Sequence, residues 1–311
     1  MESTSFTYPR ETGSQLVFKL IESLIDSLRR SRKELVHTLK ESYEVLTTTR
    51  PSSVGPLNVI RLVAEYLVSH GFDGLDKYLA ELEKKYDESL WRLAEIASKR
   101  VQDEDILMVN SDSLAVRRMI NLAVKEGKKI RIYVLESRPG MEGLRLAEYL
   151  DELGVKTYLI VDSAARFFMK DVDKVFVGAE GVAANGAVIA KVGTSQLALV
   201  AKEARVRFFV LAPLLKFSVE TVYGELLPLP EGDWKLLMSD DERRNLPENY
   251  IARVPLYDVT PPEAVDAIIC EAGLIAPQAI PFILREIHGS YPPKLRPVRE
   301  LLEEIIKRWG E

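Results

Sequence analysis

One change of hydrophobic period limits what this chain can fold into. From about residue 16 to residue 100, apolar side chains recur every three or four positions. Leu16, Leu20, Ile21, Leu24, Ile25 and Leu28 form one stripe, and Tyr78, Leu79, Leu82, Tyr86, Leu90, Leu93 and Ile96 form another. That is the period of helices burying one face. From about Asp105 the pattern becomes short apolar runs separated by amphipathic segments. ILMVN (106–110), KIRIYVLE (129–136), VKTYLIVD (155–162), VDKVFVGAE (172–180) and RFFVLAP (207–213) read as strands, with helices at 114–127, 143–154 and 194–206 between them. Strands alternating with crossover helices make βαβ units and a parallel sheet. The predicted class is therefore α/β, with a helical domain over 1–103 and a parallel-sheet domain over 104–311. TTTRPSSVGPLN (47–58) is rich in turn formers and is expected to be a loop between helices. DAIICEAG, around Cys270, is expected to be a helix.

Composition narrows the chemistry. The 311 residues carry 42 Lys and Arg against 47 Asp and Glu, a net charge of −5. No global cation excess supports direct nucleic-acid binding. RRSRK (29–33) is read as a solvated helix face. The single cysteine, Cys270, rules out an internal disulfide and a thiolate metal centre. Its expected role is a small buried hydrophobe. His37, His70 and His288 match no zinc spacing. No apolar run reaches the ~20 residues of a spanning helix, and the polar N-terminus lacks a signal-peptide core, so a cytoplasmic protein without membrane contact is expected.

In an open parallel sheet the ligand site lies beyond the carboxyl ends of the strands. The loops there contain Asn110, Ser111 and Asp112; Arg138 and Glu142; Asp162; Glu180 and Asn185; and Lys216 beyond Pro213. Arg138 and Lys216 suit a phosphate, and Glu142, Asp162 and Glu180 suit protons or sugar hydroxyls. There is no GxGxxG, no GxxxxGK[ST] and no GxSxG, so a classical dinucleotide site, a P-loop and a nucleophile elbow are disfavoured.

Three longer segments carry a resemblance. VLESRPGMEG (134–143), VFVGAEGVAANGAVIAKVGTSQLALVAKEARV (175–206) and PLYDVTPPEAVDAIICEAGLIAP (255–277) resemble the family of the alpha, beta and delta subunits of translation initiation factor 2B. The same family holds isomerases of methylthioribose 1-phosphate and ribose 1,5-bisphosphate. The resemblance implies an N-terminal helical domain and a Rossmann-like C-terminal domain with a mostly parallel sheet. TRPSSVGPLN (49–58), with Arg50, is similar to the family's N-terminal substrate-side loop. The family isomerases carry a Cys after the first Rossmann strand and an Asp in a Gly-Ala-Asp motif after the fourth; here these positions are Asn110 and Glu180. An Asn of the isomerases is Ala190 here, and PRETGSQ (9–15) offers Arg10 and Gly13 at the wrong spacing for their Arg-Gly-Ala phosphate loop. Asn110 supplies neither a thiolate nor a proton. On this comparison Asn110 and Glu180 are degenerate catalytic positions, and Arg50, Arg138, Glu142, Asn185 and Lys191 are ligand-binding positions.

These departures point to a non-catalytic, initiation-factor-2B-like regulatory subunit that acts by protein contact and by sensing a sugar phosphate or a nucleotide such as AMP. The alternative is an aldose–ketose isomerase of ribose 1-phosphates. The resemblance implies no cofactor and no metal. It also implies at least a homodimer, with Ile268, Ile269 and Leu274 as candidate contacts, and the alpha subunit of initiation factor 2 as a partner.

Overall fold

A computed structural model describes residues 11–247 and 249–310. The helical period folds as four helices: α1 (Gly13–Arg30), α2 (Arg32–Thr49), α3 (Val54–His70) and α4 (Leu75–Ser98). Ser31 separates α1, which carries the first stripe, from α2. Its extended backbone ends α1, and its side chain accepts the Glu34 N–H at the start of α2. Gly71, at φ 62°, closes α3. The expected loop at 47–58 is much shorter than read. Helix α2 continues to Thr49 and α3 begins at Val54, leaving four residues between them. Pro56 sits in the first turn of α3, where its missing N–H costs nothing.

The second half is an α/β unit. In chain order it runs β1 (Ile106–Asn110), α5 (Leu114–Lys125), β2 (Arg131–Leu135), α6 (Glu142–Glu152), β3 (Lys156–Ile160), α7 (Ala165–Phe168), β4 (Lys174–Gly178), β5 (Gly181–Val182), β6 (Val188–Lys191), α8 (Thr194–Ala204) and β7 (Arg207–Leu211). A long segment with one short helix, α9 (Asp240–Arg244), follows. Then come β8 (Tyr257–Thr260), β9 (Ala267–Cys270), β10 (Gly273–Ile275), α10 (Ile280–His288) and α11 (Val298–Trp309).

Seven strands form the main sheet in the order β10-β9-β7-β4-β1-β2-β3, parallel except for β10. A small antiparallel sheet, β5-β6-β8, stands beside it. The central strands are buried on both faces, which explains their continuous apolar sequences. DAIICEAG is not a helix: Ala267–Cys270 is a fully buried strand. A four-residue apolar run does not distinguish the two by period, and pairing with β7 and β10 decides it. Ile268 and Ile269 are therefore core residues with no exposed surface, so neither is a contact for a second copy; Leu274 is exposed. Cys270 is buried, and burial pushes its thiol up to about 11.

The two halves share a core. Leu24, Leu39, Leu67 and Leu90 of the helices pack in one cluster with Leu107, Ile132, Phe176 and Ile269 from one face of the sheet. The C-terminal helix α11 returns to pack on α3 and α2. A second cluster, with Met108, Val177, Phe208 and Ile268, fills the opposite face. No helix among the described residues is long and apolar enough to cross a membrane.

Asn58 ties α3 to the sheet unit. Its side-chain nitrogen donates to the carbonyls of Leu215 at 2.8 Å and Phe217 at 3.0 Å. Asn58→Ala leaves both carbonyls without this donor. We expect a loss of about 2–4 kcal/mol in urea unfolding, since each buried unsatisfied group costs ~1–3 kcal/mol.

Candidate active site

The sheet order places a topological switch between β1 and β4. From β1 the chain proceeds outward through β2 and β3, then returns to add β4 on the other side. Loops diverge there and leave a crevice at the carboxyl ends of the strands. Asn110 ends β1, and Glu180 lies two residues beyond β4. Both line a narrow cavity of ≈ 40 Å³, with Lys191, Lys216, Thr194 and the Thr12–Ser14 turn.

Glu180 is the centre of the cluster. Its Oε2 accepts the Ser53 hydroxyl at 2.7 Å, and its Oε1 faces Arg50 Nη2 at 3.4 Å. Arg50 also donates to the Tyr257 hydroxyl at 3.3 Å and to the Glu11 carbonyl at 3.3 Å. Lys216 Nζ donates to the carbonyl of Ala179, next to Glu180, at 2.6 Å. Burial alone would push the Glu180 carboxyl up. Arg50, then Lys216, outweigh it and hold the group below the ordinary carboxylate range. Burial lowers the proton affinity of Lys216, and the Glu180 charge opposes that only in part. The site therefore holds an ionised carboxylate beside an ammonium that releases its proton more readily than usual.

Asn110 is held at both ends. Its Nδ2 donates to Thr194 Oγ1 at 3.0 Å, and its Oδ1 accepts the Ser137 hydroxyl at 3.0 Å. Ser137 Oγ also accepts the Ser111 N–H at 2.6 Å. Ser111 and Ser137, at the ends of β1 and β2, both have left-handed backbone, with φ of 65° and 63°. Strain of this kind gathers at functional sites. In the cavity wall, Lys191 pairs with buried Glu142 at 2.6 Å and lies 5.1 Å from the Tyr257 ring centroid.

Three helices present their N-termini to the cavity: α1 through Thr12–Ser14, α5 through Ser113 and α8 through Thr194. Such ends bind anions through free N–H groups and the helix dipole. At α8, Asp258 already takes the N–H groups of Gly193 and Ser195, and burial raises its carboxyl to about 6. The α5 end has no side-chain cap. Among the described residues no three metal-ligating side chains gather.

Not every expected residue joins the cluster. Asn110, Glu180 and Lys191 line the cavity, while Arg50 and Glu142 stand directly behind Glu180 and Lys191. Arg138 is exposed and donates to the Leu237 carbonyl at 2.9 Å, outside the cavity. Asn185 is exposed in the β5–β6 turn, its side-chain oxygen accepting the Ala187 N–H. Arg10 lies outside the described residues. Two contributors were not foreseen: the Thr12–Ser14 turn and Tyr257. The first had a signal in Thr12-x-x-Gln15, a capping box that marks the start of α1. Gly13 permits the approach, because a Cβ there would lie 2.5 Å from Glu180 Oε2.

Glu180→Gln removes the countercharge of two buried cations. We expect a loss of about 3–5 kcal/mol at pH 7, the usual result of breaking a buried pair from one side. Because the folded-state carboxyl is depressed, its contribution is present above the unfolded value of 4.5. It is lost as pH falls through the folded value. Urea melts at neutral and acid pH should therefore converge for wild type and variant as pH falls.

Residues 11–277 match the model of the Initiation factor 2 subunit family. A ribose 1,5-bisphosphate isomerase of Pyrococcus furiosus is 36% identical over 272 residues, which cover 85% of this chain and 84% of that protein. One of Archaeoglobus fulgidus is 37% identical, covering 79% of each. Among solved structures, a Pyrococcus horikoshii translation initiation factor eIF-2B superposes with a TM-score of 0.74 at 27% identity, covering 87% of this chain and 93% of that one. A 5-methylthioribose 1-phosphate isomerase of the same organism reaches 0.71 at 24% identity over 89% and 84%, a likeness of fold. Six archaeal relatives, 32–37% identical, are named ribose 1,5-bisphosphate isomerase. They overturn the expectation of a non-catalytic regulatory subunit. That expectation weighed the departures at Asn110, Glu180 and Ala190 above similarity along most of the chain. By the extent of the match and the isomerases it resembles, this chain belongs to the Initiation factor 2 subunit family.

Proposed function

We propose that this protein is an aldose–ketose isomerase that converts ribose 1,5-bisphosphate to its 2-keto isomer. The observation that carries the proposal is an ionised Glu180 and a readily deprotonated Lys216 on one cavity bordered by helix N-termini. The reaction breaks the bond between C1 and the ring oxygen, moves the hydrogen on C2 to C1, and turns the C2 hydroxyl into a carbonyl. The ring oxygen gains a proton and the C2 hydroxyl loses one, so an acid and a base are both needed. Lys216 supplies the proton to the ring oxygen, and Glu180 takes the proton from the C2 hydroxyl.

Asn110 has neither role, because its amide holds no exchangeable proton of suitable affinity. Fixed between Thr194 and Ser137, it orients a substrate hydroxyl. The uncapped α5 end and Lys191 receive phosphate oxygens. At ≈ 40 Å³ the cavity takes only the reacting end of a pentose, so the Thr12–Ser14 wall moves outward to admit the rest.

Phosphorus NMR of the purified protein with ribose 1,5-bisphosphate should show the ketose bisphosphate forming at an enzymatic rate. Glu180→Gln, assayed at a temperature where circular dichroism shows it folded, tests the base. Lys216→Met tests the acid. Each should lower kcat by about 10²–10⁴, and Asn110→Ala by less. A folded wild-type protein that leaves the substrate unchanged overturns the proposal.

A further inference from the structure

Two residues of the cavity wall sit where β6 passes into α8. Lys191 ends the strand and Thr194 begins the helix. Thr194 Oγ1 accepts the Asn110 side-chain N–H at 3.0 Å and donates to the Lys191 carbonyl at 2.6 Å. Gly193, between them, has a φ of 95°, a conformation that glycine adopts without strain. The placing of Asn110 and Lys191 against a substrate therefore depends on what holds this turn.

Asp258 holds it from outside the cavity. It lies on β8, opposite Ala190 of β6. Its Oδ2 accepts the Gly193 N–H at 2.8 Å and the Ser195 N–H at 3.1 Å, and its Oδ1 accepts the Ser195 N–H at 3.2 Å. The two N–H groups flank Thr194. Both carboxylate oxygens serve as acceptors, so a proton added to either one puts a donor against an N–H and weakens the clamp. The charged groups around it are engaged elsewhere. Lys191 on β6 pairs with Glu142, and Tyr257, next on β8, meets Arg50. The first ionisable residue of α8 is Lys202, which donates to the Glu263 carbonyl, and the Glu263 side chain is exposed. Asp258 therefore answers to burial, which pushes its carboxyl up to about 6, and to the two N–H groups, which oppose this only in part.

We propose that Asp258 is a positioning residue of the active site: by clamping Gly193 and Ser195 it fixes Thr194, and through Thr194 it fixes Asn110, so that turnover requires its ionised form. This role rests on the isomerase reading above. Asp258 does not line the cavity and acts only through the first turn of α8. Its carboxylate also fills the anion position at that helix end, which leaves the uncapped α5 end for a substrate phosphate. Arg50 and Lys216 keep Glu180 ionised below the ordinary carboxylate range. A loss of turnover centred at about pH 6 therefore belongs to Asp258 and not to the base.

The test is kcat between about pH 5 and pH 8 at saturating ribose 1,5-bisphosphate, where protonation of the free substrate drops out. Wild type should lose about tenfold between pH 7 and pH 5, with a midpoint at about 6. Asp258→Asn keeps an acceptor and does not titrate. Shown to be folded by circular dichroism, it should turn over about tenfold more slowly at pH 7 and lose nothing further down to pH 5. A second readout needs neither turnover nor a variant. Carbonyl-labelled valine with nitrogen-15 glycine leaves three coupled amide signals, those of Gly55, Gly178 and Gly193. One of them should move with a midpoint at about pH 6. A wild-type kcat that is flat over this range, an acid limb that persists in Asp258→Asn, or three signals that do not titrate overturns the role of Asp258 and leaves the isomerase reading standing. A folded wild-type protein without turnover overturns that reading, and the role of Asp258 with it.

Discussion

A carboxylate buried at the end of a central strand requires countercharge and hydrogen-bond donors, and those that serve Glu180 come from distant parts of the chain. Arg50 and Ser53 arrive from the turn between α2 and α3, and Lys216 from the turn after β7. Tyr257, on β8, joins through Arg50. Removing any one cation leaves a charge in a low-dielectric setting, which costs far more than an exposed pair. The requirement therefore fixes where the helical half sits against the sheet, and the shared apolar core around Leu67 and Phe176 fills the space behind that alignment.

The same arrangement gives the site its chemistry. Parallel strands deliver their loops to one edge, and the switch between β1 and β4 opens a gap there. The left-handed residues Ser111 and Ser137 turn the chain sharply enough for Asn110 to be held between them and Thr194. Arg50 and Lys216 keep Glu180 ionised, while burial loosens the proton on Lys216. An ionised carboxylate and an ammonium with a loosened proton result from one set of contacts.

Much of the fold was legible in the residues. The strands β1, β2, β4 and β7 have unbroken apolar runs because parallel strands are covered on both faces, and Gly71 marked the end of α3. Ala267–Cys270 was misread because four apolar residues fit a helix as well as a strand. In the site, Asn110, Glu142 and Glu180 could be named from their places after strands, and Arg50 and Lys191 from resemblance. Arg138 and Asn185 occupy the same kinds of loop, yet their side chains are engaged elsewhere, by Leu237 and Ala187. Loop membership does not determine side-chain direction.

The sequence by itself determined the order of the two halves and the family, because hydrophobic period and long ordered motifs are local properties of the chain. It also showed that a cysteine is missing from the loop after β1. Only the tertiary structure decided which groups gather around that position. It brought the N-terminus of α1 against Glu180 and placed Lys216 beside it. Proton affinity depends on burial and neighbouring charge, and both are set by residues far apart in sequence that meet only in the folded chain.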